Sequence, residues 1–488
     1  DMLQNACYRI KTKLGVSENY YSHCPEFPIF GTGQGSTSSP NVWAINASTY
    51  FNVYDKHCFG ATYTNPSLTK TLCLGMTGFV DDNNSQVTGL PESTSHPMFK
   101  GDSETKLIKR CSHDAQLWND ILWASGGALE VPKCHCAYLK FQFESNGKPF
   151  LTPGQHGPPV QVTDQEGVRM NIKQLSCDEP YKILGTQQAA VLFQAKQFQV
   201  LSKKAMKLNK ALSCSSVSRT GAYVFYSSVF LTSIGYPLAL CHLTEKQLQA
   251  LQTKIVPTVL QKMGYVHSFK RDLIYGPTRY GGQGFHNLIY EQGIQAVILL
   301  IRTLRSPGQP QQKLLITLER QQAQSGFSMP LLQFPARRAP HLEGYYINMI
   351  RNFLKTQRAS MDIADIEVYP TLRLNDQHLM DIAATSKFSA ASVRRINYCR
   401  MYLDVTTISD ITNPKGNQLL PGILEGERTI HLSSSVGSPP FQERPDEQAW
   451  QVWRKFLKLI SIKTKLKTTF RPMAKTPIAT GVFVSCKA

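Results

Sequence analysis

Asp81 and Asp82 follow the apolar residues Phe79 and Val80 and open the run Asp81-Asp82-Asn83-Asn84, which reads as a tight turn. Two adjacent carboxylates at the tip of a hairpin make a hard oxygen site suited to Mg²⁺ or Mn²⁺. Two-metal phosphoryl transfer needs clustered carboxylates, because the metals neutralise charge on both the attacking and the leaving oxygen. Taken alone, the same four residues also read as a polar turn. Well upstream lies Gly31-Thr32-Gly33-Gln34-Gly35-Ser36, closing at Ser38-Ser39-Pro40. Its glycines let backbone approach a nucleotide closely, and short polar side chains such as Gln34 and Ser36 reach a base edge. No Gly-Lys-Ser/Thr end follows, so this is not a Walker loop. Lys133 comes after the Gly126-Gly127 turn and before a strand; in isolation it is an ordinary surface lysine. Cys134-His135-Cys136 lacks the second ligand pair that a tetrahedral zinc site needs and reads as strand cysteines. His267, Asp272 and His286 lack metal-ligand spacing, which argues against a nuclease.

The elements that must position these residues make the chain α+β: an antiparallel sheet with helices, then a mostly helical region, then a C-terminal extension. Residues 3–14 read as a helix, with Leu3, Cys7, Ile10 and Leu14 on one face. Trp43, Ala47, Tyr50, Phe51 and Tyr54 are spaced for a second. Lys70 to Val80 reads as a strand, 105–125 as a helix stopped by Gly126-Gly127, and Cys134 to Phe143 as a strand before a hairpin turn at Asn146-Gly147. Tyr181 to Gly185 is a further strand. From Val191 to Leu212 apolar residues recur every three or four positions, with Lys203, Lys204, Lys207 and Lys210 on the other side. Thr244 and Gln247 form a capping box opening a helix through Met263, kinked at Pro257. A third helix carries Ile294, Val297, Ile298, Ile301 and Leu304. The expected divisions are 1–187, 188–305, a linker at 306–313, and 314–488; helical pieces fall near 341–356 and 447–460, and a Ser/Gly/Pro loop near 433–440.

Taken in order, these features resemble the reverse transcriptase family, in particular polymerases of non-LTR-type retroelements. That family carries a G-x-x-Q-G-x-x-x-S-P loop, similar to Gly31–Pro40, and an aromatic-x-D-D hairpin, similar to Phe79-Val80-Asp81-Asp82. Gly127 through Lys133 resembles its Gly-x-x-x-x-x-Lys element, Tyr181-Lys182-Ile183-Leu184-Gly185 its Leu-Gly turn, and Gly281-Gly282-Gln283-Gly284 its late Gly-Gly-x-Gly. The resemblance covers residues 1 to about 305 and implies a partial palm, a thumb, and a basic C-terminal region of unassigned fold. It implies an RNA-directed DNA polymerase that extends a DNA primer on an RNA template with deoxynucleoside triphosphates. Asp81 would bind metal (Mg²⁺ or Mn²⁺) with Asp82 assisting, and Gly33, Gln34, Gly35 and Ser36 would line the nucleotide pocket. Lys133 would protonate the leaving pyrophosphate, Lys182, Ile183, Leu184 and Gly185 would place the primer end, and the lysine-bearing helix would track the RNA/DNA hybrid. The family's first catalytic aspartate has no match: Asp1 is terminal, and Glu18 and Glu26 fall in a loop. The expectation is therefore an N-terminally truncated, inactive polymerase fragment, with a non-catalytic, basic nucleic-acid-binding remnant as the alternative.

Bulk composition agrees with a nucleic-acid partner. The 488 residues exceed a single core and suggest several domains. A net charge of +19 attracts polyanions, and the excess builds late, from Lys203 to Lys210 and from Arg454 to Lys475. In that last stretch Trp450, Trp453, Phe456, Leu457 and Ile460 share a helical face beside Arg454, Lys455 and Lys458. Such a mixture can stack bases and hold phosphates, or dock on its own protein. Twelve cysteines are too sparse for a disulfide scaffold. With no signal pattern and no apolar run near the roughly 20 residues a membrane span needs, an intracellular protein is expected, nuclear or cytoplasmic and not secreted.

Overall fold

The structure, a computed structural model, describes residues 7–9, 11–12, 15–22, 39–79, 82–88, 103–145, 148–191, 194–266, 268–342, 345–364, 366–371, 373–374, 376–427 and 444–463. Four two-residue strands come first: β1 (Cys7–Tyr8), β2 (Lys11–Thr12), β3 (Gly15–Val16) and β4 (Tyr21–Ser22). The helix expected over 3–14 is thus replaced by extended chain wherever that stretch is described. Helix α1 (Ser39–His57) follows, then β5 (Ala61–Thr64), β6 (Thr71–Leu74), β7 (Met76–Phe79), β8 (Asp82–Ser85) and helix α2 (Ser103–Ala124). The strand expected from Lys70 to Val80 is broken at Gly75, where an added Cβ would lie 2.5 Å from both Asp55 Oδ1 and Cys58 Sγ. Asp82, Asn83 and Asn84, expected as turn, belong to β8.

A 3₁₀ turn (Val131–Lys133) leads into short strands: β9 (His135–Ala137), β10 (Phe141–Phe143), β11 (Pro149–Leu151), β12 (Gln161–Thr163), β13 (Arg169–Asn171), β14 (Lys173–Leu175), β15 (Tyr181–Ile183) and β16 (Thr186–Gln188). β10 and β11 pair across the expected hairpin, Phe143 opposite Pro149; residues 146–147 lie outside the described set. Every sheet among the described residues has two strands; all are antiparallel except β9 with β14. The chain is α+β, built from hairpins on helices; no contiguous sheet of three strands is described.

From 195 onward the chain is helical: α3 (Ala195–Ser213), α4 (Arg219–Val224), a π segment (Phe225–Phe230), α5 (Leu231–Leu238), α6 (Glu245–Gln252), α7 (Val256–Lys262), α8 (Arg271–Tyr275) and α9 (Leu288–Arg305). The Thr244–Gln247 capping box is present. The helix it opens stops at Gln252, and Pro257 sits in the first turn of α7, where its missing N–H costs nothing. Leu201, Ala205, Leu212, Tyr226, Phe230, Ile234, Leu248, Leu251 and Leu260 build one core here.

Then come α10 (Gln309–Ser325), α11 (Tyr345–Thr356), α12 (Leu379–Thr385), α13 (Ala390–Leu403), α14 (Ile408–Ile411) and α15 (Glu447–Lys463). The expected linker at 306–313 is not one. Only Ser306–Gly308 separates α9 from α10, and Leu300 of α9, Leu318 of α10 and Ile350 of α11 share a core. The final core joins α12, α13 and α15 around Trp450, Trp453 and Phe456. No helix among the described residues is long and apolar enough to cross a membrane.

Candidate functional site

Asp82 opens β8, exposed, with its backbone opposite Phe79. The hairpin register runs Met76↔Ser85, Thr77↔Asn84, Gly78↔Asn83 and Phe79↔Asp82, so its two strands are joined through Val80-Asp81. Those two residues, and Gly33, Gln34, Gly35 and Ser36, lie outside the described residues. Behind the hairpin, a side chain at Gly78 would overlap the Phe51 ring, so α1 packs directly on strand backbone. Phe51 stacks on Trp118 of α2 (5.6 Å, 9°), and Tyr54 meets the same indole edge-on at 5.7 Å. Each such pair adds about 0.5–1.5 kcal/mol beyond its burial. The carboxylate-bearing hairpin is thereby fixed to two helices.

Asp114, which the sequence gives no reason to single out, locks this unit. Fully buried on α2, it accepts hydrogen bonds from Phe59 N (2.9 Å) and Gly60 N (3.0 Å), holding the loop into β5. Burial, with the Asp114 charge adding to it, pushes the Cys58 thiol up to about 12.

Lys133 ends the 3₁₀ turn, exposed, while Val131 two residues earlier is buried. Leu129 packs on the cluster of Tyr54, Met76 and Trp118 that carries the hairpin, so the Lys133 turn and the Asp82 hairpin grow from one core. Cys134 and Cys136 donate their thiols to Glu130 O (3.4 Å) and Lys173 O (3.8 Å), and burial raises both pKa values, Cys136 to about 11. Thiols kept protonated are poor metal ligands. Among the described residues no three His, Cys, Asp or Glu side chains are grouped to hold a metal ion. Asp82 is the one described member of the expected ligand set and does not suffice for a cation that takes six or more oxygens.

Tyr181–Gly185, expected as a strand ending in Leu-Gly, is the first arm of a hairpin. Leu184 (φ 44°) and Gly185 (φ 81°) are both left-handed and form its two-residue link. Two positive φ values match a type I′ turn, which follows the natural twist of paired strands. Lys182 and Leu184 are exposed. Gln197 of α3 accepts from Gln187 N (2.7 Å), and a Cβ on Gly185 would stand 3.9 Å from the Tyr236 ring of α5.

On α3, Lys203, Lys204, Lys207 and Lys210 are all exposed opposite the buried Leu201, Ala205 and Leu212. Lys204 donates to Ser233 O (2.8 Å) and so ties α3 to α5. Gly281–Gly284 makes a tight reversal: Gly284 N donates to Gly276 O (2.9 Å), and backbone crowding leaves no space for a side chain at Gly282.

Of the two readings of the C-terminal aromatic face, docking on the protein itself is the one that holds. Trp450, Trp453 and Phe456 are fully buried, and the indole N–H groups of Trp450 and Trp453 donate to Pro445 O (2.9 Å) and Ile423 O (3.0 Å) respectively. Those rings form core and cannot stack on bases. Arg454 pairs with Glu447 (2.6 Å) and donates to Leu424 O (3.1 Å), so its charge is engaged internally. Lys455 and Lys458 are exposed. No family model, curated protein or solved structure matches the chain.

Proposed function

We propose that this chain is the palm-to-thumb part of an RNA-directed DNA polymerase of the non-LTR retroelement kind, serving nucleotidyl transfer onto a DNA primer paired with an RNA template. The reading rests above all on the pairing of Phe79 with Asp82, which brackets Val80-Asp81 at the end of a hairpin braced by two helices. Asp81 and Asp82 are the residues that would hold Mg²⁺ or Mn²⁺, which supplies charge neutralisation at the attacking and leaving oxygens. Gly33, Gln34, Gly35 and Ser36 line the nucleotide. Lys133, on a rigid turn of the same core, gives its proton to departing pyrophosphate, a contribution of roughly 10²–10⁴-fold. The Lys182–Gly185 hairpin seats the primer end, and Lys203, Lys207 and Lys210 follow the hybrid's phosphates, read by shape rather than by base.

The test is primer extension on an RNA template with Mg²⁺, using the chain joined to whatever coding sequence precedes Asp1. Extension should occur and should fall at least about a hundredfold in Asp81→Ala, as loss of a metal ligand requires. A protein that binds hybrid but never extends a primer would leave only a basic nucleic-acid-binding module.

A further inference from the structure

The loop 334–342 meets the segment 386–389 and the first turns of α13 through Arg338 and Arg394, whose partners are neutral. Arg338 donates to Ser386 O (3.4 Å) and Phe388 O (2.7 Å), and Arg394 donates from Nε to Pro340 O (2.9 Å). Lys387 lies between the two carbonyls that hold Arg338. Arg395 donates to the Gln448 side chain at 2.9 Å. Among the described residues, no ion pair includes Arg338, Lys387, Arg394 or Arg395. Arg337 differs, since Asp381 neutralises it at 2.6 Å. Arg338, Lys387 and Arg394 are exposed.

A backbone carbonyl orients a guanidinium without cancelling its charge, and it uses only part of the five N–H donors. These side chains have thus already lost much of their rotamer freedom while keeping donors for a ligand. A set of cations with no ion-pair partner among the described residues, two of them oriented, planar guanidinia, fits phosphate, which accepts two parallel N–H bonds from one arginine. Phe334, 44% exposed and four positions before Arg338 on the same loop, offers a flat apolar face. Cations interleaved with an exposed aromatic suit a nucleic-acid strand, with phosphates on the guanidinia and a base on the ring.

We propose that Arg338, Lys387 and Arg394, with Phe334, form a phosphate-backbone binding surface for single-stranded or hybrid nucleic acid, distinct from the lysine face of α3. The proposal goes beyond the polymerase reading and does not depend on it. Its test is fluorescence anisotropy of a labelled RNA strand and of an RNA/DNA hybrid with the full chain across a salt series. Lys387→Glu is the primary variant, because Lys387 is exposed and has no ion pair among the described residues; Arg338→Ala/Arg394→Ala is the second. Each lost phosphate contact should lower affinity about fivefold near 0.15 M salt and flatten the slope of log K against log salt by about one, for every sequence alike. Unchanged affinity and slope in Lys387→Glu would overturn the proposal, even if the double variant fails to fold. So would variants that bind RNA and hybrid normally but lose binding to phosphatidylserine vesicles.

Discussion

Leu184 carries a strain that the turn demands and the side chain resists. At φ 44° its Cβ crowds the following carbonyl, a conformation that glycine and asparagine tolerate and leucine does not. Leu184→Asn is expected to stabilise the protein by about 1 kcal/mol, read as a raised urea midpoint with an unchanged slope. If Leu184 also touches a primer, the same variant gains stability while losing primer affinity; a drop in both would mean that the leucine holds the hairpin by packing. His341 sets a second residue-scale expectation. Its Nε2 lies 2.9 Å from Ser325 O, Phe327 meets its ring edge-on, and Arg351, Arg394 and Arg400 are its charged neighbours. Burial, aided by those arginines, takes its pKa down to about 3. The unfolded chain then binds a proton that the folded chain refuses, so stability from this group is complete at neutral pH and falls as pH drops below about 6.5 toward 3. The loss should be about 2 kcal/mol at pH 5. His341→Asn should flatten the pH dependence of unfolding in that window, and an unchanged slope would show that the imidazole is not the titrating group.

Helices with a wide apolar stripe were legible: α1, α2 and α3 fall near their expected bounds, and the Thr244 capping box is where its residues predict it. The short elements were not, for a physical reason. A two- or three-residue strand is too brief to express a period of two, so Cys7 of β1 fits a helical wheel with Leu3, Ile10 and Leu14 equally well. α10 was missed because its inner face is polar: Glu319, Gln322 and Ser325 are buried there beside Ile316 and Leu318. Hydrophobic spacing cannot see a face that hydrogen bonds satisfy. Gln322, for instance, donates to Phe327 O (3.0 Å) and Met329 O (3.1 Å) and accepts from Leu331 N (3.0 Å). On α9 the helix was expected correctly and its face was not. Ile294 is 42% exposed, while Gly293 is buried because α11 lies against it. A methyl at Gly293 would overlap the Phe353 ring. Gly293→Ala should therefore destabilise by about 2 kcal/mol, although alanine favours helix by about 1 kcal/mol. Gly293→Ala/Phe353→Leu should recover most of that loss in a double-mutant cycle; additive effects would place the cost elsewhere.

At the scale of the molecule, the cations divide into those with a carboxylate partner and those without. Lys203, Lys207, Lys210, Arg338, Lys387 and Arg394 have no carboxylate partner among the described residues, whereas Arg454 and Arg337 are spent on internal pairs. The exposed lysine face of α3 and the turn at Lys133 were legible in the sequence, while Asp81 lies outside the described residues. The sequence could not show that the C-terminal aromatics are core, since an amphipathic helix reads the same whether its partner is protein or nucleic acid. Nor could it show that α10 crosses back to the hairpin of β5 and β6. Lys70 pairs there with Glu319 at 2.5 Å, Arg320 donates to the Thr64 hydroxyl at 2.8 Å, and Asn65 reaches Glu367 at 3.1 Å. These contacts join residues hundreds of positions apart, so residues 64–70 and 319–367 share stability rather than hanging from a linker. The Glu319 carboxylate is fully buried and Lys70 is its only cation among the described residues, so Lys70→Met strands a charge without solvent. That variant should lose about 2 kcal/mol, since Lys70 is itself 40% exposed, and Lys70→Met/Glu319→Leu should regain most of it, because removing the buried carboxylate costs far less than leaving it unpaired. The measurement is hydrogen exchange under mild denaturant, read separately on peptides from the hairpin of β5 and β6 and from α10. Both sets of peptides should shift together in Lys70→Met. A shift confined to one would show that the hairpin and α10 unfold apart, and that the expected boundary near residue 306 is a real one.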